Sequence, residues 1–150
     1  MAQWNRLIDT PPEAVWSVLS KGRLYALFVV GTHDSWQRDD RWPAPGAELG
    51  YTLKLGPWAY HGRTISRLCE PRRRLELEAR THVGSARIAF RIEPWGSGTL
   101  VVVDEHPLSG AAARWHNSAV DVLMRWRNRR MLVRLGELAA SAEERSRAGS

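Results

Sequence analysis

The sequence predicts an α+β fold: a curved antiparallel sheet of about seven strands wrapped around a long C-terminal helix, with two short helices after the first strand. Three observations predict it. Between Glu48 and His106, apolar and polar residues alternate in short runs separated by turn residues, as expected of antiparallel strands with one covered face. From about Ala111 to Ala140 the apolar residues recur at helical spacing instead. The segment "TPPEAVWSVL" sets a short helix between the first strand and the remainder of the sheet.

Taken in order, "QWNRLIDT" reads as a short strand. In the helix that follows, Thr10 is a candidate cap, the prolines suit the first turn, and Glu13 suits its positive end. Gly22 ends it, and "RLYALF" offers the second short helix. "HDSWQRDD" is a weak strand, whereas "ELGYTLKL" sets Leu49, Tyr51, Leu53 and Leu55 on one face. "AYHGRTISRL" follows a Gly-Pro turn, and its facing is ambiguous: Ile65 is in phase with His61 and Arg63, Tyr60 and Leu68 in the other phase. "RRLELEAR" separates Leu75, Leu77 and Ala79 from Glu76 and Glu78. "ARIAFRI" places Ala86, Ile88, Phe90 and Ile92 inside, with Arg87 and Arg91 outside. "PWGSG" is a hairpin turn, and "TLVVVDEH" is the last strand. Residues 1–140 form one domain on this reading, and 141–150 a polar, frayed tail.

Composition narrows the function classes. A chain of 150 residues fits one domain with a real core. Its hydrophobic content of 43% and charged content of 25% are ordinary for a soluble globular protein. No apolar run approaches the roughly 20 residues that span a bilayer, and "MAQWNRLIDTPPEAV" does not read as a signal peptide. Cys69 is the single cysteine, which excludes an internal disulfide and a cysteine-rich metal site. A cytoplasmic location is the default expectation. The net charge of +6 comes overwhelmingly from arginine, a balance that suits either a solvated surface or an anionic partner. Eight tryptophans are scattered along the chain and suit core packing or the lining of an apolar pocket.

The basic stretch "MRWRNRRMLVRL" resolves on a helical projection of about 100° per residue. Val120, Met124, Met131, Leu132, Leu135, Leu138 and Ala139 share one arc, while Arg125, Arg129, Arg130 and Arg134 fall outside it and Arg127 lies on its border. The arginines are thus expected on the solvent side, and no nucleic-acid partner is needed to explain them. Asp121 and Asn128 fall within or beside the apolar arc, where a polar group needs a hydrogen-bond partner or water. The last strand adds another misfit: if Val101 and Val103 face inward, so does Glu105. An inward glutamate is a general acid or base, or half of a structural ion pair.

This order of elements resembles the helix-grip superfamily of START lipid-transfer domains, pollen-allergen-type ligand binders and polyketide cyclases/dehydrases, the SRPBCC group. The resemblance covers about residues 3–140 and rests on "TPPEAVWSVL", "PAPGAEL", "GSGTLVVVDEHPLSG" and "RNRRMLVRLGELA". It is similar above all to small actinobacterial members whose Gly-Thr-led last strand ends in Glu, followed by an Arg-Asn pair in the helix, here Glu105, Arg127 and Asn128. The resemblance implies a cavity between sheet and helix that takes a small apolar or aromatic molecule. No cofactor, no nucleic-acid partner and no integral membrane association are expected.

Other chemistry is poorly represented. The five histidines, His33, His61, His82, His106 and His116, show no metal-ligand spacing. No G-x-S-x-G elbow and no phosphate-cradling glycine loop occurs. Two functional readings stand side by side. The first is binding or carriage of a polyketide- or lipid-like molecule, with Trp36, Tyr51, Trp58, Trp115, Asp121, Met124 and Arg127 as candidate lining residues. The alternative is a polyketide cyclase/dehydratase performing aldol-type ring closure and dehydration. That reaction requires a base alpha to a carbonyl, a donor for the enolate and an acid for the departing hydroxide. Glu105 is the candidate base, Asn128 or Arg127 the donor, and His61 the acid.

Overall fold

The computed structural model describes residues 2–29, 32–82, 84–110 and 118–149. β1 (Ala2–Ile8) leads into α1 (Pro12–Leu19), a 3-10 turn (Gly22–Leu24) and α2 (Tyr25–Phe28). The strands β2 (Thr32–Gln37), β3 (Glu48–Leu55), β4 (Trp58–Glu70), β5 (Arg74–Thr81), β6 (Gly84–Trp95) and β7 (Gly98–Gly110) follow, and α3 (Ser118–Ala148) closes the chain. All neighbouring strands are antiparallel, in the order β1-β7-β6-β5-β4-β3-β2. Every adjacent pair except β1–β7 is a sequential hairpin. α1 and α2 carry the chain from one edge of the sheet to the other.

The sheet bends because its ladder is interrupted. Register shifts fall at Thr32/Asp34, Ser66/Leu68 and Ser85/Ala86, and each extra residue adds local curvature. Close packing sets a second constraint at Gly62, where a Cβ would collide with the Tyr51 ring and crowd the Arg80 carbonyl. On the concave face, Leu49, Leu75, Leu77, Phe90, Ile92, Val101 and Val103 are buried. They form one core with Val15, Val18 and Leu19 of α1, Phe28 of α2, and Met131, Leu132, Leu135 and Ala139 of α3. This is the helix-grip arrangement.

On α3, Arg125, Arg129 and Arg130 are exposed, as the projection predicts. Trp126 is half exposed beside Arg130, whose guanidinium carbon lies 5.7 Å from the ring centroid. Two local expectations fail. Thr10 does not cap α1: Pro11 occupies the cap position without a side-chain bond, and the buried Thr10 hydroxyl has no partner. Nor does the helix stop near Ala140. It runs to Ala148, because Ala142 still packs against the core and Arg147 bonds Glu143 one turn back at 2.9 Å.

Candidate functional site

Glu105 lies on β7, opposite Ile88 of β6, in phase with the buried Val101 and Val103. Strand alternation therefore directs its carboxylate to the concave face, where it is 7% exposed. α3 supplies two donors to it. Asn128 Nδ2 donates to Oε2 at 3.0 Å, and Arg127 donates to Oε1 at 3.2 Å. Asn128 is only 1% exposed, so its amide sits within the helix's apolar arc, as the projection places it. Arg127, on the border of that arc, keeps part of its side chain in solvent. That geometry eases the cost of the ion pair, since the guanidinium is not wholly desolvated. It also joins the last strand to the last helix through charge-assisted bonds.

These three residues stand at the wall of a cavity of about 90 Å³ between sheet and helix. The apolar lining comes chiefly from Leu49, Leu77, Ala79, Ile88, Phe90 and Met131. Tyr51 and Thr64 add hydroxyls from β3 and β4, and Ser35 and Tyr25 add theirs from the β2 side. Two of these hydroxyls are spoken for: Tyr25 donates to the Leu19 carbonyl at 2.8 Å, and Ser35 to that of Gly22 at 3.0 Å. Tyr51 donates to the Arg80 carbonyl over a longer 3.4 Å. Burial pushes the Tyr51 phenol up from its ordinary pKa, and the nearby charge of Arg127 works against that rise.

The structure thus brings Glu105, Arg127, Asn128 and Tyr51 together and leaves three other candidates outside. His61 is exposed on the convex face, its Nδ1 3.2 Å from Thr52 Oγ1, so it does not reach the cavity as an acid. Trp36 lies over Gly50 on that same outer face. Trp58 begins β4 at the β3–β4 turn and is 66% exposed. Trp115 lies outside the described residues, as do the side chains of Asp121 and Met124. Among the described residues, the aromatic lining is Tyr25, Tyr51 and Phe90. Leu49, Leu77, Ala79, Ile88 and Phe90 were recoverable as lining from strand phase alone. Thr64 was not, because its strand carries apolar residues in both phases, Ile65 in one and Tyr60 and Leu68 in the other. Among the described residues, no group of three or more His, Cys, Asp or Glu is placed to hold a metal ion, and no helix is long and apolar enough to cross a membrane.

No protein-family model matches the chain, and no curated protein matches it. Solved structures do. A START superfamily protein from Mycobacterium smegmatis superposes with a TM-score of 0.75 at 12% identity, covering 93% of this chain and 97% of that one. Ara h 8.0201 gives 0.72 at 9% identity over 93% and 97% of the two chains. A protein from Nitrosomonas europaea, NE0264, gives 0.72 at 17% identity over 95% and 96%. At such identities the likeness establishes the fold, which is START-like.

Proposed function

We propose that the protein binds a small, largely apolar molecule in the cavity between the sheet and α3, with a polar end of the ligand toward Glu105, Arg127 and Asn128. The observation that carries this reading is the cavity itself: an apolar lining with a few polar groups is the usual composition of a ligand site. A carboxylate offers about four acceptor positions. Arg127 and Asn128 occupy two of them, so Glu105 retains capacity to accept from a ligand hydroxyl. The START superfamily neighbour supports the same reading by fold.

The cyclase/dehydratase alternative has less support. At about 90 Å³ the cavity is small beside the roughly 300–1,000 Å³ of common ligand sites, which holds the binding reading to a compact molecule and does not suit a folded poly-β-keto chain. Its proposed acid, His61, lies on the other face of the sheet. Glu105 as base would have to act from within an ion pair.

Native mass spectrometry of the purified protein tests the binding reading through a copurified adduct, and binding of a compact fluorescent dye, 1-naphthol, tests it independently. Ala79→Phe, which drives a ring into the cavity, should abolish both signals while leaving the far-ultraviolet circular dichroism intact. Dye binding that survives in a folded Ala79→Phe variant would place any ligand elsewhere and refute the assignment.

A further inference from the structure

A buried hydroxyl is costly unless it finds a hydrogen-bond partner. Most of the buried threonines and serines have one. Ser35 donates to the Gly22 carbonyl, Ser66 to that of Pro43 and Thr99 to that of Thr10, while Thr52 meets His61. The hydroxyls of Thr10 and Thr64 have no such partner among the described residues. They differ in surroundings. Thr10 Oγ1 is enclosed by protein, whereas Thr64, 8% exposed, lines the cavity. Its hydroxyl therefore keeps a proton to donate, and the cavity is where an acceptor for that proton can enter.

The sheet fixes where this donor stands relative to Glu105. β4 presents Thr64 between Leu49 of β3 and Ala79 of β5. Glu105 of β7 is paired with Ile88 of β6, and Ile88 with Leu77 of β5, two residues from Ala79. Three strand spacings and a two-residue offset separate the two groups, roughly 16 Å measured along the backbone. The inward curve of the sheet shortens that span between side-chain ends. Leu77, Ala79 and Ile88 lie between them and also line the cavity. The wall thus runs from a polar point through an apolar stretch to a second polar point. The two points have opposite demands: the carboxylate of Glu105, paired with Arg127, accepts, and Thr64 donates. Tyr51, by contrast, already donates to the Arg80 carbonyl, and Thr32 is less buried and sits on the edge strand β2.

We propose that Thr64 determines specificity in the cavity by donating to an acceptor oxygen of the ligand. The ligand class is then a compact molecule with a hydroxyl at one end, an apolar middle and an ether or carbonyl oxygen at the other end. A ligand whose far end is plain hydrocarbon leaves the Thr64 hydroxyl unsatisfied and is disfavoured. This inference rests on the ligand-binding reading and extends it from one polar end of the ligand to two.

The experiment is isothermal titration calorimetry with 4-(methoxymethyl)phenol and 4-propylphenol, which differ by an ether oxygen in place of a methylene. Thr64→Val keeps the β-branched shape and removes the hydroxyl. The affinity ratio of ether to propyl compound should fall about tenfold from wild type to Thr64→Val, the scale of one buried hydrogen bond. Thr64→Ser, which restores a hydroxyl, should recover most of that ratio. Without ligand, Thr64→Val should unfold at the same temperature as wild type or higher, because it removes an unsatisfied group. An unchanged ratio overturns the proposal. So does a lower midpoint for ligand-free Thr64→Val, since the hydroxyl would then be engaged within the protein. Ala79→Phe separates the two readings. Phenol binding that Ala79→Phe abolishes, with a ratio that Thr64→Val leaves unchanged, refutes the role of Thr64 and keeps the cavity. Phenols that do not bind wild type, or that still bind a folded Ala79→Phe protein, refute the cavity reading and this inference with it.

Discussion

Replacing Asn128 with leucine tests the energetic role of the Glu105 cluster. The two side chains are similar in size, so Asn128→Leu removes polarity more than volume. Glu105 is 7% exposed and accepts from Asn128 at 3.0 Å, and after the change one of its oxygens loses that donor with little water to replace it. A hydrogen bond to a charged group contributes about 1.5–3 kcal/mol. The gain from burying leucine offsets part of this, and Arg127 still bonds the other oxygen, so a net loss of about 2 kcal/mol is expected. For a chain of 150 residues that corresponds to a fall in Tm of about 4–8 °C. Urea unfolding should show a lower midpoint at unchanged m value. Adding Glu105→Leu should recover about 1 kcal/mol or more, since both buried polar partners are then gone and Arg127 can extend into solvent. An Asn128→Leu protein as stable as wild type, or strictly additive effects in the double variant, would show that the amide does not support the carboxylate.

Two further outcomes follow from the packing. Tyr25 is buried and its phenol is pushed far above the ordinary value of 10.0 by burial. A group whose folded pKa is raised contributes stability that is fully present below the unfolded pKa and lost as pH rises beyond it. Wild type should therefore lose stability above about pH 10, whereas Tyr25→Phe should be weaker by about 1 kcal/mol at neutral pH, having lost its bond to Leu19, but decline less steeply in alkali. Parallel stability–pH curves would refute that assignment; a residual slope is expected from Tyr51, whose phenol is also raised by burial. Gly62→Val should be destabilising and should displace Tyr51 from the cavity, because the new Cβ meets both the Tyr51 ring and the Arg80 carbonyl. Unfolding midpoints together with dye affinity check it, and unchanged values for both would refute the close packing.

The fold was legible because its signals are periodic. Alternation in β3, β5, β6 and β7 and the arc of α3 each depend on local spacing, and each survives into the structure. Glu105 and Asn128 were legible as anomalies within those patterns, a charge and an amide where the period demands apolar groups. What the sequence hid was non-periodic. Ile65 is buried although it shares the outward phase of His61, and the bulge at Ser66/Leu68 changes the facing beyond it, so the run did not reveal that Thr64 lines the cavity while His61 faces out. Trp36 was a poor guide for a related reason. A large ring covers a small residue wherever one leaves room, and Gly50 offers Trp36 that room on the convex face.

The bonds from Arg127 and Asn128 and the cavity are not competing accounts of Glu105. A buried carboxylate held only for structure would be replaceable by an apolar pair at little cost, since desolvation consumes much of what an ion pair returns. Here the carboxylate is fixed by donors from an adjacent pair of helix residues, one buried and one reaching solvent, and it borders a cavity rather than solid core. Fixing the group beforehand removes the entropy that a ligand would otherwise spend in ordering it. The same bonds that tie β7 to α3 thereby hold an acceptor ready at the cavity wall. A ligand hydroxyl would gain more from it than from a mobile surface carboxylate, because both the position and the partial exclusion of water are already set.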